Sequence, residues 1–355
     1  MRIHSPIVIV ALLFVAVAVV PPAVGAAEGG AGGNCSFPYE ATDATGTAVT
    51  VEERPDRIVV LAPSAAQTVW ALGASERVVG MPRNYYATYL NGTDGIQDVV
   101  TDRGQPIQER VVALDPDLVL APNVIGNESV TALRDAGLTV YRFEEAGSLA
   151  AVSAKTRRTG RLIGSCAAAE RVSSDTEARV SEIRSATADR DHPLVYYAMG
   201  GGYTAGPETF VGDVIATAGA ENLATRANIS RYGKISPEIV VSEDPDWIVA
   251  PRGVSIAGTG VENTTAYRQD RIVRVNRNYL HQAGPRVVRP LERIARHLHP
   301  SAVGAAKPTA TQTTDAVGAL DTTSPTPTAT GGPAVGPAAG ALAFVAGAGL
   351  LGRRR

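Results

Sequence analysis

Cysteine, histidine and aromatic residues are all scarce in this 355-residue chain, and each scarcity removes a class of chemistry. The two cysteines, Cys35 and Cys166, are not spaced as C-x-x-C, which excludes a thioredoxin-like redox centre. Five histidines leave little for a bare metal cage; among them His4 sits in an N-terminal leader, His281 stands alone, and His297 and His299 fall on the closing helix. Any metal carried here would be carried inside a chelate. No G-x-S-x-G and no P-loop occurs, and Gly200-Gly201-Gly202 lacks the G-x-G-x-x-G spacing of a phosphate loop. These absences argue against an enzyme and against a bound cofactor. The formal net charge of −2 leaves no electrostatic footprint for nucleic acid.

What is present begins at the two ends. Arg2 precedes an apolar run from Ile7 to Val20 and then small residues, the order of a secretory signal over 1–26; a retained anchor is the alternative. Residues 301–332 are rich in Thr, Pro and Ala, a composition that reads as an extended linker. An apolar stretch and Arg353-Arg354-Arg355 close the chain over 333–355, as a membrane anchor with a basic cytoplasmic end would. This ending resembles the archaeal PGF-CTERM sorting signal, although "GGPAVGP" stands where its Pro-Gly-Phe would be. Sequons at Asn34, Asn91, Asn127, Asn228 and Asn263 agree with an exported, glycosylated chain. In that compartment Cys35 and Cys166 are expected to form a disulfide; two separately buried thiols are the alternative.

Between the ends the pattern is α/β, written twice. An N-terminal lobe (27–147) alternates apolar strands with helices: "RIVVL", a turn and N-cap at Pro63-Ser64, a helix stopped by Gly73, then "VVGM", "QERVVAL", "DLVLA", "ESVTALRDAG" and "LTVYRF". Strands apolar without alternation are covered on both faces, which predicts parallel sheets. Residues 148–190 read as one long interdomain helix with room for a single break. A second lobe (191–300) repeats the order. "LDPDLVLAP" from Leu114 returns as "EDPDWIVAP" from Glu243, and Glu109 and Glu238, Asp115 and Asp244, and Pro122 and Pro251 each stand 129 residues apart. The expected fold is therefore two similar α/β lobes with a ligand cleft between them.

In open parallel sheets ligands sit beyond the carboxyl ends of the strands. The loops there supply Ser64, Arg83, Tyr85, Tyr86, Asn123, Tyr203, Arg252 and Tyr279, with Arg103 and Tyr232 on the approaches to the two repeated helices. In a chain only 5% aromatic, such a gathering of tyrosines points to a flat or conjugated ligand. Across Arg54 to Pro300 the motifs "QERVVALDPDLVLAP", "GGGYTAGPETFVGDVIATAGAENL" and "ISPEIVVSEDPDWIVAP" resemble the solute-binding proteins of vitamin B12 and ferric-siderophore ABC importers. The resemblance implies a monomeric carrier that delivers cobalamin or a siderophore to an ABC permease and its ATPase. It implies that Glu109 and Glu238 dock onto permease arginines, while an acid in a first helical turn also complements the helix dipole. Arg103 stands where the vitamin B12 binder has a tryptophan, and with Arg83 and Arg252 it would suit an anionic chelate. A heme or other tetrapyrrole binder, and a surface sensor without a transport role, are the alternatives.

Overall fold

A computed structural model describes residues 35–83, 87–257 and 260–303. The leader, nearly all of the linker, the C-terminal anchor, Asn34, Tyr85 and Tyr86 lie outside the described residues. The first lobe opens with an antiparallel hairpin, β1 (Tyr39–Thr42) and β2 (Ala48–Val51). There follow β3 (Ile58–Val60), α1 (Pro63–Ala71), β4 (Val78–Met81), β5 (Gln97–Asp98), α2 (Gln108–Ala113), β6 (Leu118–Ala121), α3 (Asn127–Asp135) and β7 (Val140–Arg142). The strands form one parallel sheet in the order β5-β4-β3-β6-β7. Alternate residues feed opposite layers: Ile58, Val60, Leu118 and Leu120 pack in one core, Val59, Val119 and Ala121 in the other. A sheet buried on both faces needs apolar residues at every position, hence the unbroken runs in the sequence.

The span read as one long helix is broken once, and the break is a reversal. α4 (Leu149–Leu162) and α5 (Cys166–Thr187) pack along each other as an antiparallel pair. Gly164 turns the chain with φ +69, and Gly160 allows the close approach, since a Cβ there would stand 2.2 Å from that of Ala169. Both arms cross between lobes: Leu149, Val152, Val180 and Ile183 enter the second lobe's core, Leu162, Ile163 and Ala169 the first's. The reversal is pinned by the Cys35–Cys166 disulfide, whose Cα atoms are 5.5 Å apart. Any side chain at 160 would pry the arms apart, a strain of about 1–3 kcal/mol.

The second lobe contains β8 (Leu194–Tyr197), β9 (Tyr203–Ala205), α6 (Phe210–Thr217), β10 (Glu221–Asn222), α7 (Leu223–Arg226), β11 (Tyr232–Lys234), α8 (Pro237–Glu243), β12 (Trp247–Pro251), α9 (Thr265–Arg268), β13 (Ile272–Val275), α10 (Arg277–Leu280), α11 (Val288–Leu298) and α12 (Pro300–Val303). Its parallel sheet runs β10-β8-β12-β13, the order of β4-β3-β6-β7 in the first lobe. Register agrees as well: Val119 faces Val59 and Val140, and its counterpart Ile248 faces Tyr196 and Ile272.

The repeated Asp-Pro-Asp explains that agreement. Asp115 and Asp244 both adopt left-handed backbone, φ 44 and φ 40, which ends the helix and turns the chain; proline then forbids its renewal. The second aspartate ties the new strand to its neighbour. Asp117 Oδ2 accepts the N–H groups of Asp56 and Arg57, each at 2.8 Å, just before β3. Asp246 Oδ2 accepts that of Leu194 at 2.8 Å, at the start of β8.

Candidate functional site

The carboxyl ends of both sheets meet along one junction. On the first lobe's side stand α1 and the loop after β4; on the second's, the stretch from α10 to α11. Gln67, buried in the middle of α1, donates to Tyr89 OH (3.0 Å) and to Gln282 Oε1 (3.3 Å), while Tyr89 OH donates to the same Gln282 oxygen at 2.6 Å. The Gln67 carbonyl oxygen Oε1 accepts the backbone N–H of Arg286 at 3.0 Å. Gly284 makes room for this lattice, because a Cβ there would lie 2.5 Å from Gln67 Oε1. Burial is the main force on Tyr89, pushing its hydroxyl up to about 12 against the pull of Gln67 and Arg286, so it stays a donor. The Tyr89 and Tyr279 rings meet edge to face at 5.4 Å, with the Arg286 guanidinium over both.

The second wall is a ribbon without a counterpart in the first lobe. Gly200, Gly201 and Gly202 all have positive φ and turn the chain out of β8 into β9, which pairs antiparallel with β11. Tyr203 faces Lys234 across the pair, and Tyr232 is two residues from Lys234, so both tyrosines and the lysine share one face. Both rings are exposed, and the Lys234 ammonium lies 5.4 Å from the Tyr203 centroid. Beside the ribbon Arg231 pairs with Glu145, just after β7, at 3.2 Å to each oxygen, so this wall also touches the first lobe.

Between the two regions Tyr197, at the end of β8, is hydrogen-bonded to His281 Nε2, just after α10. Burial holds His281 down to about 4, with Arg277 acting in the same sense, and burial raises Tyr197 well above the ordinary phenol range. A neutral imidazole and a neutral phenol therefore share this hydrogen bond.

The sequence-derived residues divide accordingly. Tyr203 and Tyr232 come together on the ribbon, and Ser64 and Tyr279 belong to the junction. Ser64 is not the N-cap of α1: Ala62 holds that position in extended backbone and Pro63 is already helical, which leaves Ser64 Oγ to receive Lys155 Nζ at 3.4 Å. Arg83 folds back on its own lobe, donating from its backbone to Asp98 and from its guanidinium to Ile96 O at 3.3 and 3.4 Å. Arg103 and Arg252 are exposed in turns, and Asn123 contributes its carbonyl to Arg142 at 3.1 Å. Glu109 and Glu238 both lie exposed in the first turns of α2 and α8. Sequence reasoning missed Gln67, Tyr89, Lys155, Tyr197, Gln282 and Arg286. A polar Gln67 inside the apolar run of α1 was one available signal, and the rarity of lysine another. Val124, 69% exposed on the loop after β6, is a further apolar rim residue. No group of three or more metal-ligating side chains exists among the described residues.

Two α/β lobes joined by a helical pair, with aromatic walls at the carboxyl ends of their strands, define a two-lobed solute-binding protein. Residues 58–277 match the family model described as periplasmic binding protein, and the chain belongs to that family. It is 45% identical over 281 residues to a "Cobalamin-binding protein" of Halobacterium salinarum, covering 75% of each chain. Among solved structures it is similar to a periplasmic heme-binding protein from Roseiflexus, with TM-score 0.62 and 28% identity over 70% of this chain and 99% of that one. The periplasmic vitamin B12 binding protein of Vibrio cholerae shares the fold, with TM-score 0.59 and 18% identity over 71% of this chain and 99% of that one. These relatives are named for binding, and the chain is of the substrate-binding class that serves ABC importers.

Proposed function

We propose that this chain captures a corrinoid, cobalamin or a close relative, on the outer face of the cytoplasmic membrane and delivers it to an ABC permease with its ATPase, held in place by its C-terminal anchor. The observation that carries the reading is the likeness to the Halobacterium cobalamin-binding protein across three quarters of both chains. The cleft supports it: exposed Tyr203 and Tyr232 offer flat apolar area on a rigid ribbon, suited to a planar macrocycle. Glu109 and Glu238, one on each lobe, serve as the permease contacts. Exposed Val112 beside the first and Ile239 and Val241 beside the second give those surfaces an apolar component.

A second reading, a heme carrier, has one specific observation behind it. Tyr197 and His281 are the side-chain types that ligate heme iron, and they are hydrogen-bonded to each other at the end of β8. Titration of the full-length chain with cyanocobalamin, hemin and a ferric siderophore, followed by tyrosine and tryptophan fluorescence, separates the readings. Cyanocobalamin is expected to bind below about 10 μM, an affinity near 7 kcal/mol, and Tyr232→Ala to weaken it about tenfold. Tight binding of hemin alone, with a Soret band lost in His281→Ala, would replace the corrinoid reading with the heme one. Binding of none of the three would end both.

A further inference from the structure

Of the 33 basic residues in the chain only three are lysines, Lys155, Lys234 and Lys307. Of the two described, Lys155 and Lys234, it is Lys155 that is set between α1 and the stretch after α10. Its ammonium donates to Ala283 O at 3.0 Å and lies 3.4 Å from Ser64 Oγ, with the Phe143 ring at 5.9 Å. All three neighbours are neutral: Ser64 comes from α1, Phe143 from just after β7, Ala283 from the stretch after α10. An ammonium removed from water without a counter-charge is costly, and burial alone draws this one down to about 8, so at neutral pH it is still charged.

A second cation stands at the same junction. The Arg286 guanidinium lies 5.2 Å from the Tyr89 centroid and 5.8 Å from that of Tyr279, held by ring faces and by no carboxylate or carbonyl among the described residues. Its backbone N–H joins Gln67, one turn along α1 from Ser64, so both cations are fixed to one short helical segment. The N-terminus of α1 points into that corner with Ala62 as a cap that offers no side-chain acceptor, which adds partial positive charge. Packing alone does not call for charge at 155: a methionine would fill the same space.

We propose that Lys155 and Arg286 form an anion subsite at the lobe junction that accepts a phosphate or carboxylate group of the captured solute. The proposal rests on the solute-binding reading above and adds the class of ligand that the cleft selects. The oxyanion comes from either of two sources, the phosphodiester of a corrinoid nucleotide loop or the carboxylates of a porphyrin, and the probes distinguish them.

The full-length chain is titrated with cyanocobalamin, which carries the phosphodiester, with dicyanocobinamide, which lacks it, and with hemin, which carries two carboxylates. The unmodified chain is expected to prefer cyanocobalamin over dicyanocobinamide about tenfold or more, the yield of a charge-assisted hydrogen bond. Lys155→Met and Arg286→Met should each reduce that preference to about twofold, and Lys155→Arg should retain part of it. If the porphyrin is the source, hemin affinity falls about tenfold in both methionine variants instead. Melting temperature is followed in parallel. Lys155→Met removes a charge without a counter-ion and should melt no lower than the parent, whereas a merely structural strut would lower the melting temperature and leave ligand preference intact. Should Lys155→Met not fold, Arg286→Met carries the same test. Equal preference in parent and variants overturns the subsite and leaves the solute-binding reading standing. No binding of any of the three probes removes both.

Discussion

The two lobes share strand order, register and the Asp-Pro-Asp device, yet their cleft walls are built differently. The first lobe has no inserted ribbon among its described residues, and its α1 and the loop after β4 contribute Ser64, Gln67 and Tyr89 to the junction. The second inserts the β9/β11 ribbon between its first strand and the repeated helix, and replaces valine with tyrosine in the strand: Val60 sits where Tyr197 sits, by the pairing of each with the neighbouring strand. What is repeated is scaffold; what is not repeated shapes the walls of the junction. Glu109 and Glu238, the glutamates proposed to dock, belong to the repeated part, one per lobe at equal sequence offset, as a partner with two-fold symmetry would require. The tyrosines proposed to face the ligand, Tyr203 and Tyr232, belong to the unrepeated part, as an asymmetric solute would require.

The most damaging way to probe that division is charge reversal at the docking positions. Glu109→Lys with Glu238→Lys is expected to abolish permease-dependent uptake, and each single change to lower it roughly a hundredfold, the cost of opposing a charged pair across an interface. Ligand affinity should be unchanged in all three. Similar losses from the two single variants would support equal contributions from the lobes. A fall in ligand affinity would instead place the glutamates in the cleft or the fold.

A pH scan sharpens the same comparison, because residues 35–147 hold no histidine and the half-buried His281 belongs to the second lobe. Its folded value of about 4 lies below the ordinary 6.5, so the unfolded chain binds the extra proton first. The stability contributed by this group is complete above about pH 6.5 and is lost as pH falls toward 4, to the extent of about 3 kcal/mol. Denaturant titrations at pH 7 and pH 4 should differ less by about that amount in His281→Gln. An unchanged difference would mean that the imidazole is already charged in the folded chain.

Most of the scaffold was legible because it depends on local rules: apolar runs for strands covered on both faces, glycine at helix ends, and a two-element unit that returns in register. The reversal inside 148–190 was not, because its cause, Gly160 against Ala169, is a contact between two helices and leaves no period in the sequence. The first hairpin, β1 and β2, was passed over because four-residue strands at a chain end carry too few positions to show alternation. The cleft was legible only by address. Reading the residues after each strand found Tyr203 and Tyr279, whereas the lattice at the junction joins residues as far apart as Gln67 and Gln282, and no local pattern links them. Arg83 shows the limit of the address, since its loop is at the cleft end but the guanidinium is held by Ile96.

The smallest expected effect concerns the device that makes the lobes alike. Asp117 takes two backbone N–H groups and Asp246 takes one, although the two aspartates are equivalent by sequence offset and by fold. Both side chains are exposed, so each bond is worth less than a buried one, and Asp117→Ala is expected to cost about 2 kcal/mol against about 1 kcal/mol for Asp246→Ala. The loss should appear in the unfolding of the lobe that holds the substitution, which amide exchange at Leu118–Leu120 and Ile248–Ala250 reads separately. Asparagine at either position keeps one acceptor oxygen and should recover part of the loss. Equal losses would mean that the second bond to Asp117 adds nothing, and the device would then be equivalent in energy as well as in form.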